Sequence, residues 1–244
     1  FMIIKRNNFD ICKDKWEHYA ENYQLDNSKL ATYELTVRNV LELLNGQNNG
    51  LAIDVGCGNG VIDILLAEKT NFEIIGCDIS DIMLERANEN LKLKNPKFKI
   101  RFEKQNAYNL NYPDNYFDIV FGFGYYSPAA YQDGIKEIFR VLKPNGLLIC
   151  DFINHWSLYK LIFLPKNIIL KYAKIFEIKN IIKSFEKNQF RFIDKKYFNT
   201  YPPIFRKKIS SKAYVLFENT IGKLLKRLLG RVVLISFQKI NFMK

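Results

Sequence analysis

The feature that most constrains this chain is the stretch from residue 51 to residue 78. An apolar run at residues 51–55 predicts a buried strand, and it breaks into the turn Gly56-Cys-Gly-Asn-Gly60 before an apolar pattern of helical period. A second apolar run at residues 72–77 predicts another strand, which ends at Asp78. Strand, glycine turn, helix and strand together predict a βαβ unit, and therefore a sheet with parallel strands.

The residue types in this unit favour a nucleoside ligand. Glycines let the chain turn sharply and let a ligand lie against the main chain, and the free N–H groups that open the next helix favour negative charge. The carboxylate of Asp78 can accept hydrogen bonds from both hydroxyls of a ribose. A turn that merely joins a strand to a helix is the alternative. Two acids, Asp54 before the glycines and Asp78 after the next strand, favour the cofactor site.

The spacing of the glycines distinguishes between cofactors. Dinucleotide folds carry G-x-G-x-x-G, whereas Val61 occupies the third position here. Residues 54–60 read D-x-G-x-G-x-G, which resembles motif I of the class I methyltransferases that depend on S-adenosylmethionine (SAM). The resemblance implies a Rossmann-like, doubly wound α/β sheet of seven strands, the last one antiparallel. It also implies that SAM is bound, and S-adenosylhomocysteine released, by a set that includes Asp54, Gly56, Cys57, Gly58, Asn59, Gly60 and Asp78.

Two further segments extend this resemblance. The W-x-x-x-A-x-x-Y sequence at residues 16–23 is similar to the segment before motif I in small-molecule methyltransferases of the ubiquinone and menaquinone biosynthesis type. There the tyrosines cover the cofactor, which makes Tyr19 and Tyr23 candidates, although packing against the sheet explains them equally well. The resemblance places Ile79 and Met83 against the adenine, and both also suit a core. Asn106-Ala107 stands where the family usually has Asp-Ala, whose aspartate accepts from the adenine amino group, and Phe123 ends the predicted fourth strand. Asn106, Ala107 and Phe123 are predicted to bind the cofactor.

The candidate catalytic residues follow the fourth and fifth strands. Residues 121–126, FGFGYY, lack the Asp/Asn-Pro-Pro-Tyr element of amino methyltransferases, which disfavours methylation of a nucleobase nitrogen. Tyr125 and Tyr126 lie just past the predicted fourth strand and are predicted to face the substrate, although aromatic packing would also explain them. Methyl transfer needs no obligatory catalytic residue, but a hydroxyl acceptor benefits from a general base. Of the two histidines, His155 follows the predicted fifth strand and is the preferred base. A buried or surface histidine without a catalytic role is the alternative for His155.

The resemblance covers residues 14–151 and includes two further family motifs, of which the second has a predicted architectural role. These are P-D-x-x-F-D at residues 113–118 and R-V-L-K-P-x-G-x-L at residues 140–148. We predict one domain over residues 1–244, with lid helices to 45, a SAM-binding core at 46–151, and substrate-binding insertions with the last strands at 152–244. The fifth strand is predicted at residues 147–151 and the sixth at 190–198, preceded by a helix at 177–187. Two helical insertions are predicted, at residues 154–175 and 202–230. The amphipathic stretch 221–229 is expected to face the core, and a helix on a membrane surface is the alternative.

Charge is distributed unevenly along the chain. The 244 residues carry a formal net charge of +12, but residues 152–244 hold 20 Lys and Arg against 4 Asp and Glu, whereas residues 1–151 have a slight acidic excess. An anionic substrate, an anionic membrane surface, RNA or simply a solvated lysine-rich face would account for this excess. No apolar run has membrane-spanning length, and no signal-peptide pattern is present, so a cytoplasmic location is expected. The four cysteines form no C-x-x-C pair, so no metal site is expected.

The sequence therefore predicts a SAM-dependent methyltransferase that acts on oxygen of a small, acidic or phosphorylated biosynthetic intermediate. An RNA methyltransferase is the first alternative, motivated by the basic C-terminal part. A non-catalytic SAM-binding partner of another enzyme is the second. The sequence leaves the oligomeric state undetermined.

Overall fold

A computed structural model describes residues 17–23, 25–94, 97–124, 131–154, 156–158, 177–200 and 210–240. The chain divides into two compact units. The first, called the glycine-turn unit here, comprises residues 1–24 and 48–146. The second, called the C-terminal unit, comprises residues 25–47 and 147–244.

The glycine-turn unit alternates strands and helices. After a helical turn at residues 17–21, its elements are β1 (Asn49–Val55), α2 (Val61–Ala67), β2 (Asn71–Asp78), α3 (Asp81–Lys94), β3 (Ile100–Lys104), β4 (Phe117–Gly122) and α4 (Tyr131–Val141). The C-terminal unit opens with α1 (Asn27–Leu43), which precedes β1 in the chain. It continues with β5 (Leu142–Ile153, entered from the first unit), α5 (Ile178–Lys187), β6 (Phe190–Phe198), α6 (Ser211–Phe217), a π-helical turn (Glu218–Gly222), α7 (Lys223–Leu229) and β7 (Val232–Lys239).

The seven strands have the order β3-β2-β1-β4-β5-β7-β6. β1 pairs in parallel with β2 and β4, and β2 pairs in parallel with β3. The central strands are buried on both faces, which is the pattern of a parallel sheet covered by helices. β7 is antiparallel to both β5 and β6. The predicted seven-stranded, Rossmann-like α/β sheet with an antiparallel last strand is confirmed.

An aromatic cluster forms the core of the C-terminal unit. Phe185 of α5 stacks on Phe237 of β7 with ring centroids 4.3 Å apart, and Phe190 and Phe152 contact Phe185 edge-on. Such pairs add roughly 0.5–1.5 kcal/mol each beyond the burial of their area. The helix predicted at residues 177–187 is therefore confirmed, and it packs into the core of this unit.

Two predicted elements differ from the structure. β5 begins at Leu142 rather than at residue 147, because α4 already ends at Val141, ahead of Pro144. The stretch 221–229 is helical as predicted, but the expectation that it faces the core is wrong: Ile221, Leu224 and Leu228 are exposed. The predicted helical insertion at 154–175 lies almost entirely outside the described residues. Within the described part of the chain, no helix is long and apolar enough to cross a membrane.

Candidate functional site

The turn between β1 and α2 depends on three glycines in the left-handed region. The φ angles of Gly56, Gly58 and Gly60 are 85°, 55° and 68°, values that side-chain-bearing residues adopt only under strain. The N–H groups of Gly56 and Cys57 donate to the carbonyl of Cys77 at 2.7 and 3.0 Å. The turn is thereby tied to the end of β2, next to Asp78.

Gly58 and Gly60 have different surroundings. A Cβ at Gly60 would lie 2.4 Å from Cζ of Phe102 and 2.9 Å from Cβ of Ala87, whereas a Cβ at Gly58 would meet nothing within 4 Å. Gly60 is therefore needed for packing. Gly58 exposes its main chain to open space, which is where a ligand can approach the backbone.

Phe102 is a structural residue that sequence reasoning missed. A Cβ at Gly76 on β2 would also lie 2.5 Å from the Phe102 ring, so two glycines from different elements make room for one aromatic side chain. A glycine within an apolar strand often marks such a close approach. Gly76 was thus the available signal, although it does not say which residue fills the space.

Asp78 sits at the end of β2 and anchors the glycine turn. Its Oδ2 accepts a hydrogen bond from Gly58 N–H and its Oδ1 accepts one from Ser80 N–H, both at 2.9 Å. Burial raises the pKa of this carboxyl, while the backbone hydrogen bonds oppose the rise and Glu17 adds to it. Each carboxylate oxygen keeps a further lone pair, so Asp78 can accept from a diol while it holds the turn.

The N-terminal segment with the two candidate lid tyrosines is attached to α3. Glu17 accepts hydrogen bonds from Ser80 Oγ at 2.7 Å and from Asp81 N–H at 2.9 Å. Arg86 Nη1 donates to the carbonyls of Ala20 at 2.7 Å and Tyr23 at 3.1 Å. The sequence did not indicate these contacts of Glu17 and Arg86.

These contacts bring the tyrosine segment close to Asp78. The rings of Tyr19 and Tyr23 lie 5.8 Å apart, and Tyr19 is about half exposed, at 49%. An exposed aromatic pair beside a candidate ligand carboxylate suits a cover over a bound cofactor. The role of the two tyrosines as a lid stays a prediction.

The residues predicted to hold adenine lie on three neighbouring elements. Ser80 caps α3 by accepting from Met83 N–H at 3.2 Å. Met83 is buried and Ile79 is half-buried. Gln105 N–H donates to the Asp78 carbonyl at 3.1 Å. Asn106 and Ala107 are thus the two residues that come directly after a residue bonded to Asp78.

The amide of Asn106 already has one partner in this arrangement. Its Oδ1 accepts from Tyr108 N–H at 3.0 Å, which leaves one lone pair for a ligand. Phe123 is buried just after β4 and stacks on Phe121 with centroids 5.7 Å apart. Phe123, which was predicted to bind the cofactor, therefore has a clear packing role in the core.

Beneath the glycine turn lie two buried carboxyl groups, Asp54 on β1 and Asp63 on α2. Burial and the neighbouring Asp54 raise the pKa of Asp63 well above its ordinary value, because like charges in a buried site favour a shared proton. Cys57 and Cys77 lie nearby, and burial raises the pKa of both thiols. Both cysteines therefore stay protonated and are poor nucleophiles.

The P-D-x-x-F-D and R-V-L-K-P-x-G-x-L motifs contact each other. Arg140 donates to Asp114 at 2.9 Å and to the carbonyls of Tyr112 and Leu110 at 2.7 and 2.9 Å. Lys143 pairs with Asp118 at 2.7 Å, and Asp118 accepts from Leu51 N–H at 2.9 Å. These contacts fix the loop before β4, which agrees with the architectural role predicted for the second motif.

Both candidate catalytic residues, Tyr125 and His155, lie outside the described residues. Among the described side chains, no group of three or more His, Cys, Asp or Glu residues is arranged to hold a metal ion.

Comparison with known proteins gives concordant results. Residues 52–146, which contain the glycine turn, Asp78 and the Arg140 motif, match the family model described as "Methyltransferase domain". These residues are therefore similar to a methyltransferase domain. The match begins within β1 and ends at Gly146, which is also where the glycine-turn unit ends.

Curated relatives agree with this match. The chain is 37% identical over 139 residues to a demethylmenaquinone methyltransferase of Lactococcus lactis, covering 54% of this chain and 55% of the relative. It is 31% identical over 143 residues to one of Symbiobacterium thermophilum, covering 57% of each chain. The chain thus spans about half the length of the curated relatives it matches.

The fold resemblance extends beyond the methyltransferase domain. The structure of a geranyl diphosphate methyltransferase in complex with SAM superimposes with a TM-score of 0.61 over 92% of this chain and 95% of that one. Sequence identity is 14%, so this match concerns the fold.

Proposed function

We propose that this chain is a methyltransferase that binds SAM at the glycine turn and transfers its methyl group to a small molecule. The observation that carries the proposal is the pairing of Asp78 with Gly58. The carboxylate at the end of β2 holds the turn through Gly58 N–H, and Gly58 is the glycine that faces open space. A nucleoside with a charged amino-acid tail fits a site that offers a diol acceptor beside bare main chain.

The described residues divide the binding of SAM among them. Asp78 would accept from the ribose hydroxyls, and Ile79, Met83, Asn106 and Ala107 would surround the adenine. The backbone of residues 56–60 would line the methionine part, with Asp54 and Asn59 holding the turn in shape from below. Tyr19 and Tyr23 would cover the cofactor, since Glu17 and Arg86 attach their segment next to Asp78.

The chemistry asks the protein mainly to orient the acceptor. Bound SAM supplies an activated methyl group on a sulfonium, and the acceptor must lie in line with the bond that breaks. Such orientation contributes about 7–11 kcal/mol in well-aligned reactions. Closing the tyrosine cover would exclude water and hold the acceptor in place.

We propose an oxygen acceptor on a small, acidic or phosphorylated intermediate. The curated relatives are named demethylmenaquinone methyltransferases, which are enzymes of small-molecule biosynthesis by their name. The basic excess of residues 152–244 suits an anionic acceptor. For a hydroxyl acceptor, His155 is the proposed general base and Tyr125 a proposed substrate contact.

Transfer of label from methyl-labelled SAM tests this function. The chain is incubated with boiled extract that is then separated into aqueous small-molecule, lipid and nuclease-sensitive pools. We expect label in the aqueous or lipid pool, and we expect mass spectrometry of the product to show methylation on oxygen. The Asp78→Ala variant should lose the transfer at limiting SAM.

The other outcomes separate the alternatives. Label confined to the nuclease-sensitive pool would replace the proposal with RNA methylation, for which binding should also fall steeply with salt. Tight binding of SAM without label in any pool would indicate a non-catalytic partner of another enzyme. A product methylated on carbon or nitrogen would contradict the oxygen acceptor alone.

A further inference from the structure

The C-terminal unit contains a continuous helical segment, residues 210–229, with two unlike faces. This amphipathic segment comprises α6, the π-helical turn and α7. Its inner face consists of Tyr214, Glu218, Gly222 and Leu229, all of which are buried. Only one of these four is an aliphatic side chain, so the inner face is not the apolar face that periodicity indicates.

The inner face fits the chain just after β6. The Tyr214 hydroxyl donates to Asn199 Oδ1, and Glu218 Oε1 accepts from Thr200 N–H. A Cβ at Gly222 would lie 2.2 Å from Thr200 Oγ1, so only glycine fits at this point. These contacts are polar and close, and they determine which side of the helix faces inward.

The end of the segment is held as well. Ser157 Oγ donates to the carbonyl of Leu229, and Asn154 Nδ2 donates to the carbonyl of Gly230, both at 2.8 Å. With its inner face and its end both bonded, the segment cannot rotate about its axis without breaking buried hydrogen bonds. The outward direction of its other face is therefore a property of the fold.

The outer face is a stripe of aliphatic side chains, called the leucine stripe here. Ile221, Leu224, Leu225 and Leu228 have the spacing i, i+3, i+4, i+7, which places them along one side of a helix. Leu216 precedes Ile221 by five residues, which matches the i, i+5 spacing of the π-helical turn that contains Ile221. All five are exposed, and Leu224 reaches 85%. A contiguous apolar stripe that faces solvent marks a site of interaction.

Cations occupy much of the rest of the exposed surface of α7. Lys223, Lys226 and Arg227 are exposed, and none of them takes part in the ion pairs found among the described residues. They belong to a part of the chain, residues 152–244, with 20 basic and 4 acidic residues. Long basic side chains beside an apolar stripe are the combination that lets a helix lie in the interface of an anionic bilayer.

We propose that the leucine stripe inserts into the surface of an anionic lipid bilayer, with Lys223, Lys226 and Arg227 at the level of the lipid phosphates. The helix lies in the plane of the membrane, since no described helix is suited to span it. A second copy of the chain fits this face poorly, because it would bring two sets of unpaired cations together. The proposal does not depend on methyl transfer.

Binding to vesicles tests the proposal. The full chain is sedimented with phosphatidylcholine vesicles that contain or lack phosphatidylglycerol. We expect binding only to the anionic vesicles, weakening with salt. Leu224→Gln with Leu228→Gln should lower the partition coefficient by about tenfold per leucine. Replacing Lys223, Lys226 and Arg227 with Gln should lower it by about fivefold per cation at low salt.

Leu93→Gln is the matched control. Leu93 on α3 is 83% exposed, so its replacement removes the same surface from the glycine-turn unit and should leave vesicle binding unchanged. Because the replaced leucines are exposed, the variants should keep their circular dichroism and their affinity for SAM. Retained SAM affinity also separates failure of this proposal from failure of the proposed function.

A depth measurement distinguishes insertion from attraction at a distance. An environment-sensitive fluorophore is attached at Leu224→Cys, after Cys12→Ser; the other cysteines, Cys57, Cys77 and Cys150, are buried. We expect a blue shift with anionic vesicles and quenching by brominated lipid tails, and neither from the same label at Leu93→Cys.

Three results would overturn the proposal. Equal vesicle binding by the wild-type chain and the leucine variant would show that the stripe does not insert, and competition by RNA would then identify a general polyanion site. A concentration-dependent dimer lost in the leucine variant, without vesicle binding, would assign the stripe to a second copy. No binding to either kind of vesicle would also exclude the bilayer.

Discussion

At the scale of single residues, Asp78 has two roles in one side chain. It fixes the glycine turn through Gly58 N–H and Ser80 N–H, and it retains lone pairs for a diol. Burial raises the pKa of Asp78, which means that the charged carboxylate carries a desolvation cost in the folded protein. A carboxylate kept at such a cost at the end of a strand is typical of a binding residue.

We predict that Asp78→Ala raises the dissociation constant for SAM by roughly ten- to a hundredfold, because charged hydrogen bonds to the ribose are lost. Calorimetry measures the constant, and Glu89→Ala, an exposed acid on α3, is the control. Wild-type affinity should stay constant above the pKa of Asp78 and fall as the pH drops through it, since protonation removes the acceptor charge. Unchanged affinity in Asp78→Ala would exclude Asp78 from the site.

Asp63 presents the opposite case of a buried carboxyl that costs stability. Its folded-state pKa is raised, so the folded protein binds more protons than the unfolded chain between the two pKa values. The free energy of unfolding therefore decreases as the pH rises through that window. Below the unfolded-state pKa of about 3.9, the cost is absent.

We predict that Asp63→Asn increases the free energy of unfolding by roughly 1–3 kcal/mol at about pH 8 and flattens its dependence on pH, because one buried charge is removed and the amide can donate to Asp54. Urea unfolding at several pH values measures this. Glu89→Gln, at an exposed acid on α3, should show no such change. A steeper pH dependence in Asp63→Asn would contradict the shared proton.

At the scale of elements, the glycine turn separates packing from binding within five residues. Gly60 faces Phe102 and Ala87, and Gly58 faces open space, although both have positive φ. The same substitution at the two positions should therefore have different consequences. Backbone strain is common to both, at about 1–2 kcal/mol, so the difference reports the surroundings.

We predict that Gly60→Ala lowers the free energy of unfolding by about 3 kcal/mol or more, through strain plus the clash with Phe102. Gly58→Ala should lower the free energy of unfolding by only about 1–2 kcal/mol. The folded Gly58→Ala protein should nevertheless bind SAM more than tenfold more weakly, because the added Cβ enters the space proposed for the ligand. Urea unfolding and calorimetry on the folded variants measure the two effects. Equal stability losses, with equal affinities, would contradict this division.

At the scale of the whole molecule, the two units differ in chemical character. The glycine-turn unit carries the cofactor site and the matched methyltransferase domain, and the C-terminal unit carries most of the basic excess and the leucine stripe. A ligand that binds only folded protein stabilises it by an amount set by its concentration and affinity. Cofactor binding is thus measurable without knowing the acceptor.

We predict that SAM at a hundredfold excess over its dissociation constant raises the free energy of unfolding by about 2.7 kcal/mol. NAD at the same concentration should not, since the turn lacks the third glycine of the dinucleotide motif. Thermal and urea denaturation with each ligand measure this, and the response of Asp78→Ala should fall to roughly 0.4–1.4 kcal/mol. Equal stabilisation by NAD would contradict the identity of the cofactor.

Much of the glycine-turn unit could be predicted from the sequence, because its signals are local. The glycines need positive φ wherever they stand, Ser80 caps the helix that follows it, and buried strands show as apolar runs. Strand β6 was predicted to the residue, and β1, β2 and α3 to within two. The boundary between α4 and β5 was less accurate, since Pro144 marks where a helix cannot continue but not where it ends.

Long-range contacts account for what the sequence did not indicate. Nothing in the local pattern links Glu17 to Ser80, Arg86 to the tyrosine segment, Phe102 to Gly60, or Asp63 to Asp54. Each contact depends on where the parallel strands bring their ends together.

The sequence by itself determined the βαβ unit, the glycine turn, the acid at the end of β2 and hence the class of cofactor, because these follow from the conformational limits of single residues and short repeats. Only the tertiary structure decided which glycine faces a ligand and which faces Phe102. It also decided the direction of residues 210–229: periodicity identifies an apolar face, but the buried contacts of Tyr214, Glu218 and Gly222 determine that this face points outward. The periodicity of a helix depends only on its own side chains, whereas the burial of one of its faces depends on the neighbouring elements that the rest of the fold provides.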